Sequence, residues 1–226
     1  MKPDVVFFDF GGTLARQTNT REQAIAASLA QLGRSIPAAD VSRALATARE
    51  RYAGRSPHGL TFPQRQELFI GMYEVVAQAL DFGGDSRRIG EHLWQTQRDS
   101  YVLYPEVKAA LQALKAGGAR LGIISNWDKL NLADVCRGLG IADCFDVILP
   151  SAQAEADKPD PRIFRCALEL AGVGAESAVH VGDSYDADVQ GARGVGMIGV
   201  LVQRVGGPAL DCPIVRGLDE VPEILV

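Results

Sequence analysis

Carboxylates at Asp9, Asp183 and Asp188, the Ser125-Asn126 pair and Lys158 are groups that can attack an electrophile, exchange protons or hold a hard cation. Their positions matter more than their types. Asp9 ends the apolar run Val5-Val6-Phe7-Phe8 and opens Asp9-Phe10-Gly11-Gly12, while Ser125-Asn126 ends the run Leu121-Gly122-Ile123-Ile124. Asp183 follows the apolar segment Ala178 to Val181, in Gly182-Asp183-Ser184-Tyr185-Asp186-Ala187-Asp188. Lys158 lies in the connection between the second and third of these runs, ahead of a helix. Each residue has an ordinary structural explanation by itself. Asp9 could begin a turn, Ser125 could cap a helix, and Lys158 could be a solvated loop lysine. Asp186 and Asp188 would suit the first turn of a helix without any ligand. Asp183, after an apolar strand and a glycine, is expected to be partly buried. Delivered together by successive strands, the residues read as one functional set.

The elements that must position them follow from periodicity. Val5 to Phe8 is β-branched and aromatic and reads as a central strand with Asp9 at its carboxyl end. From Thr20 to about Arg98 the pattern is helical. Thr20…Gln23 and Thr61…Gln64 fit capping boxes, Pro63 stands near a helix start, and Ile25, Leu29 and Leu32, then Phe69, Tyr73, Val76 and Leu80, recur at helical spacing. After Pro105 helix and strand alternate: a helix from Glu106 to Ala116, a strand to Ile124, a helix from Lys129 to Arg137 and a strand at Val147 to Leu149. A helix opened by Asp160-Pro161, a strand at Ala178 to Val181, a helix from Ser184 to about Arg193 and a strand at Ile198 to Val202 complete the series. This order predicts an α/β fold, a doubly wound parallel sheet with helices on both faces, and makes the all-helical stretch an insertion after the first strand. The expected organisation is a discontinuous core of residues 1–15 and 100–226 and a helical domain of 16–99. In such sheets ligands bind beyond the carboxyl ends of the strands, where strand order reverses.

Composition narrows the function. A hydrophobic fraction of 47% and a charged fraction of 23% are those of an ordinary globular chain. A net charge of -5 with scattered Lys and Arg offers no field for a nucleic acid. Met1 to Phe10 lacks the pattern of a secretory signal or a membrane span. Cys136, Cys144, Cys166 and Cys212 show no Cys-x-x-Cys spacing, which fits reduced thiols in a cytoplasmic protein. Gly194-Val195-Gly196-Met197-Ile198-Gly199 matches G-x-G-x-x-G but leaves a helix and enters a strand, the reverse of a dinucleotide fingerprint, and reads as a helix stop and turn. Trp127, beside Asn126, is as suited to packing as to touching a substrate.

Asp9-Phe10-Gly11-Gly12-Thr13-Leu14 resembles the first motif of the haloacid dehalogenase (HAD) superfamily. Ser125-Asn126 resembles the second, Lys158-Pro159-Asp160-Pro161 the third, and Gly182-Asp183 with Asp188 the fourth. All stand in family order, and the helical insertion resembles that family's cap. The resemblance implies a Rossmann-like HAD core and a Mg2+-dependent phosphatase acting on a small phosphorylated metabolite. Asp9 would be the nucleophile, forming an aspartyl phosphate. Asp9, the Gly11 carbonyl, Asp183 and Asp188 would surround the ion, Asp188 through water or as an orienting group. Ser125, the backbone N–H of Asn126, Gly12, Thr13 and Lys158 would contact the phosphate, and Lys158 would offset repulsion among the carboxylates.

One position departs from the family pattern. Phosphatases of the family usually carry a second Asp two residues after the nucleophile, as general acid and then general base; here that place is Gly11. The departure implies either a leaving group that needs little protonation, such as an aryl, acyl or anomeric phosphate, or a substitute acid from the cap. Two other readings compete. A 2-haloacid dehalogenase shares the nucleophile but attacks carbon without a metal and has no need of Asp183. A phosphate- and metal-binding protein would have lost turnover with the missing Asp. A Schiff-base mechanism from the cap is disfavoured, because Thr20 to Arg98 contains no lysine. Arg16, Arg21, His58 and Arg65 are cap or hinge candidates by residue type, although solvation at the surface is the usual state of such side chains. Oligomeric state is not readable from these patterns.

Overall fold

The computed structural model describes residues 3–96 and 100–225. In chain order the strands are β1 (Val5–Phe8), β2 (Ala15–Gln17), β3 (Tyr101–Leu103), β4 (Arg120–Ser125), β5 (Val147–Pro150), β6 (Ala178–Gly182), β7 (Ile198–Val202) and β8 (Ile214–Val215). Six of them form a parallel sheet in the order β5-β4-β1-β6-β7-β8. The chain winds outward from β1 through β4 to β5, then returns to the other side of β1 for β6, β7 and β8. The reversal therefore falls between β1 and β6, the crevice where such sheets hold ligands.

Strand β1 is buried along its whole length, as a strand covered on both faces must be. Its Val5 and Phe7 join Ile124 and Leu149 in a core against Ile163, Phe164, Ala167 and Leu168 of the helix Pro161–Ala171, while Val6 and Phe8 alternate to the other face. Asp160 caps that helix by accepting from the Arg162 N–H, with Pro161 at the first helical position. Register sets the heights of the strand ends. Phe8 is level with Ile123 and Val181, so Asp9 leaves β1 level with Ile124 and Gly182, one residue short of Ser125 and Asp183.

One compact unit comprises Met1–Arg16 and Val102–Val226, the other Gln17–Tyr101; the boundary expected at residue 99 lies outside the described residues. The second unit holds α1 (Arg21–Ala30), α2 (Ala38–Arg51), α3 (Phe62–Ala79) and α4 (Ser86–Thr96) around Ile25, Leu29, Leu45, Val76 and Leu93, with Phe69 stacked on Trp94 at 5.4 Å. Thr20 and Gln23 exchange the two hydrogen bonds of a capping box at α1, and the Thr61 N–H donates to Gln64 Oε1 at α3. Arg65 departs from the surface expectation. It is fully buried on α3, where its Nε donates to the Leu60 carbonyl, so a backbone group replaces water there. Among the described residues no helix is long and apolar enough to cross a membrane.

Two helices differ from expectation. The one expected from Lys129 begins at Leu132. The segment expected to be a helix from Ser184 is a π-helical turn, Tyr185–Gln190, passing into a short helix, Gly191–Arg193. In the π turn the Ser184 carbonyl accepts from both the Asp188 and Val189 N–H groups. Wide turns of this kind are frequent at functional sites, and this one carries Asp188.

Candidate active site

Lys158 lies at the centre of the site. Its side chain is 2% exposed, and its ammonium donates to Asp9 Oδ1 at 2.7 Å, Asp188 Oδ1 at 2.6 Å and the Ile124 carbonyl at 2.8 Å. All three donors of the ammonium are used, on groups delivered by β1, β4 and the π turn. A surface lysine is excluded at this position. Burial alone would push Lys158 down, but Asp9 and Asp188 outweigh it and hold the ammonium above its ordinary value. Burial likewise raises Asp188, yet Lys158 and the His180 hydrogen bond hold its carboxyl well below the usual carboxylate range. Asp9 goes the other way. Burial, with Asp188 and Asp183 as like charges, raises it against the pull of Lys158.

Asp188 is the most heavily bonded carboxylate here. Oδ1 accepts from Lys158 and, at 3.0 Å, from His180 Nε2, while Oδ2 accepts from the Ser184 N–H at 2.9 Å. His180 is not among the site residues that the sequence predicts. It points from β6 into the interior, edge-on to Phe164, and burial pushes its pKa down, so a neutral imidazole donates through Nε2–H. A histidine within an apolar strand gives no signal that distinguishes it from a core residue.

Asn126 also has a second role. Its side chain clasps the backbone of Lys158, accepting from the Lys158 N–H at 2.7 Å and donating to the Lys158 carbonyl at 3.0 Å. Beside it, Trp127 meets Phe10 edge-on at 5.6 Å and donates from Nε1 to Asn131. Ser125 is buried at the end of β4. Asp183 is exposed rather than partly buried, because it stands one residue past the end of β6. Desolvation and then Asp188 still raise its carboxyl, against Lys158 and Arg204.

The glycines after Asp9 differ in what they permit. Gly12 has φ +83°, and a Cβ there would lie 2.0 Å from Asp183 Oδ2, so Gly12 makes room for that carboxylate. Its N–H donates to the Ala15 carbonyl at 2.8 Å, which commits it within the loop. A Cβ on Gly11 would meet nothing within 4 Å. Thr13 places its hydroxyl in the interior, where Oγ1 has no hydrogen-bond partner among the described residues.

Asp9, Asp183 and Asp188 each offer an oxygen, all within 4.8 Å of one another. Such a cluster, with one exposed member, is chemically suited to a hard divalent cation, and one ammonium alone leaves it net negative. Lys158→Met would leave two buried carboxylates uncompensated. In metal-free buffer the variant is expected to lose about 3–5 kcal/mol of unfolding free energy, measured by urea titration. A loss under about 1 kcal/mol would show that the cluster needs no internal cation.

The haloacid dehalogenase-like hydrolase family matches residues 3–196. The chain is 38% identical over 173 residues to "Haloacid dehalogenase-like hydrolase domain-containing protein 3" of Homo sapiens, covering 74% of this chain and 64% of that protein. It is thus matched to less than two thirds of that relative's length. A "Phosphoglycolate phosphatase" of Neisseria meningitidis is 30% identical over 208 residues, 86% of this chain and 78% of that one. Among solved structures, the 2-haloacid dehalogenase from Pseudomonas syringae superposes with a TM-score of 0.71 at 25% identity, over 99% of this chain and 98% of that one. The parallel sheet agrees with these likenesses, and the chain belongs to the haloacid dehalogenase-like hydrolase family.

Proposed function

We propose that this hydrolase cleaves small phosphate monoesters, with Asp9 as nucleophile and Mg2+ as cofactor. The observation that carries the reading is the Lys158 ammonium held between Asp9 and Asp188, with Asp183 beside them, at the reversal point of the sheet. An Asp9 oxygen attacks phosphorus in line, the ester P–O bond breaks, and its electron pair leaves with the departing oxygen. Water then attacks the aspartyl phosphate, releasing inorganic phosphate and restoring Asp9. Lys158 fixes Asp9 through Oδ1, and Asp188 fixes Lys158. Ser125 and the backbone N–H groups of Asn126 and Thr13 are assigned to the phosphoryl oxygens. Asp9, Asp183 and the Gly11 carbonyl would hold Mg2+, with Asp188 as an orienting neighbour. The ion, when bound, supplies positive charge to the phosphoryl oxygens.

Gly11 sets the substrate class. Lys158 and His180 are both bonded to Asp188, so none of these titratable groups stands in for the absent acid. The reading therefore assigns a phosphate whose leaving group departs with little protonation, an aryl, acyl or anomeric phosphate. The helical unit is assigned the cap's task of selecting that group. The thiols of Cys136, Cys144, Cys166 and Cys212 are free, which suits a reducing cytosol.

The likeness to a 2-haloacid dehalogenase supports a second reading, displacement of halide from carbon. That chemistry has no use for Asp183 or for the excess negative charge around Asp9. The two separate in one experiment. With p-nitrophenyl phosphate, phosphate release is expected to disappear in EDTA and to return with Mg2+. Chelator-resistant phosphate release would overturn the metal assignment, and halide release from 2-chloropropionate without phosphatase activity would establish the dehalogenase.

A further inference from the structure

Beyond the residues of the four motifs, β7 delivers a cation to the same edge of the sheet. Arg204 stands two residues past the end of β7, and its guanidinium is bonded along three sides. Nη2 donates to the Thr13 carbonyl at 2.7 Å, Nε to the Gly12 carbonyl at 3.3 Å, and Nη1 to Glu106 Oε1 at 2.6 Å. Its face lies over the Tyr104 ring, with Cζ 3.4 Å from the centroid. The side chain is 19% exposed and that of Glu106 20%, so the pair is largely shielded from solvent.

The bonded groups belong to two chain segments that have no other reason to share a cation. Gly12 and Thr13 form the loop immediately after the nucleophile. Tyr104 and Glu106 follow β3, and the Tyr104 N–H itself donates to the Leu14 carbonyl at 3.2 Å. The backbone that carries Arg204 is itself held in place. Arg216 Nη1 donates to the carbonyls of Gln203 and Val205 on either side of it, and the Gln203 N–H donates to Val215. A planar fork fixed from behind is the group suited to hold two adjacent carbonyls, and an ammonium cannot span them with the same geometry.

We propose that Arg204 is a positioning residue that locks the loop Gly11-Gly12-Thr13 and thereby aligns Asp9 with Asp183. The Gly12 and Thr13 carbonyls are turned outward onto the guanidinium, which fixes the peptide planes of the loop. Gly12 in turn lies against Asp183, where there is no room even for a methyl group. Loosening those planes disturbs the two carboxylates assigned to the ion without removing either. As a contributor to catalysis this role rests on the phosphatase reading; as a lock on the loop it does not.

The test uses the full chain with Arg204→Gln and Arg204→Lys, and has three readouts. Deuterium uptake of the peptide spanning residues 9–16 is expected to rise about tenfold in rate in both variants. Mg2+ affinity, measured by calorimetry without substrate, is expected to fall about 10–100-fold in Arg204→Gln, as for other groups that orient metal ligands. In p-nitrophenyl phosphate hydrolysis kcat is expected to fall by a similar factor with KM nearly unchanged, and Arg204→Lys to recover only a small part of it. Arg204→Lys keeps the charge beside Glu106 and Tyr104, so it serves if the Gln variant does not fold. Unchanged deuterium uptake in residues 9–16 overturns the lock. Faster uptake with Mg2+ affinity and kcat within twofold of wild type overturns its effect on the site. A wild-type protein that neither binds Mg2+ nor releases phosphate would sink the phosphatase reading instead, and the loop exchange alone would then decide the role of Arg204.

Discussion

Asp9→Asn is expected to lower phosphate release by at least about 10⁴-fold while leaving the protein folded. An amide oxygen cannot form the aspartyl phosphate, and the other carboxylates are committed elsewhere: Asp188 is bonded to Lys158, His180 and the Ser184 N–H, and Asp183 stands one residue beyond β6. The substitution is nearly isosteric. The amide oxygen that it introduces can still accept from Lys158, whose bonds to the Ile124 carbonyl and Asp188 are untouched. One carboxylate fewer also lessens repulsion in the cluster, so the melting temperature is expected to stay within a few degrees of wild type. Chemical trapping of an acyl phosphate should label the wild-type protein and fail on the variant. Residual activity within tenfold of wild type in a folded Asp9→Asn protein would mean that another group attacks, and the mechanism would have to be abandoned.

The sheet and the residues at its edge are legible in the sequence because both rest on short-range signals. Apolar runs of four or five residues that end in Asp9, Ser125 and Asp183 announce buried parallel strands and their chemistry together, and the capping boxes and Asp160-Pro161 mark helix starts. What is not legible depends on groups far apart in the chain. Nothing near residue 204 in the sequence suggests that its guanidinium reaches the carbonyls of Gly12 and Thr13. Asn126 is recognisable beside Ser125, but its bond to the backbone of Lys158 crosses 32 positions. Arg65 and His180 show the same limit in another form. Both are polar residues whose interior partners, the Leu60 carbonyl and Asp188, are known only once the chain is folded. The π turn at Tyr185–Gln190 is hidden because its sequence has ordinary helical capping, with the Ser184 hydroxyl accepting from the Ala187 N–H.

Those hidden contacts have a common effect. The Asn126 amide fixes the Lys158 backbone while Lys158 fixes Asp9, and His180 and the Ser184 N–H fix Asp188, which holds Lys158 from the other side. Lys158 and Asp188 are thus each oriented in part by a neutral group. Preorganisation of this kind lowers the reorganisation needed when charge moves during reaction. It also leaves the lysine no freedom to act as a proton donor, which returns the question of the leaving group to Gly11.

Gly11→Asp is expected to raise turnover of alkyl phosphates by about 10²-fold, the lower end of what a positioned acid–base group contributes. The position can accept the change. A Cβ there meets nothing within 4 Å, and the backbone of Gly11, unlike that of Gly12, lies outside the left-handed region. Two steps should benefit, because the new carboxyl protonates the departing oxygen and, once ionised, takes a proton from the attacking water. On the proposed reading wild type lacks both transfers. With a good leaving group its first step should outrun the second, giving a burst of p-nitrophenol that approaches one equivalent before slow steady release. In Gly11→Asp the burst should vanish, and the gain should be larger for alkyl than for aryl esters, whose leaving groups need the proton less. A fourth carboxylate also adds negative charge around Asp9, and a Mg2+ titration of both proteins keeps a change in ion affinity apart from a change in turnover. A linear wild-type progress curve with full rates on alkyl phosphates would show that Gly11 leaves no deficit. Activity confined to Gly11→Asp, with none in wild type, would assign the natural chain to phosphate and metal binding, since one carboxyl would then be all that separates the site from turnover.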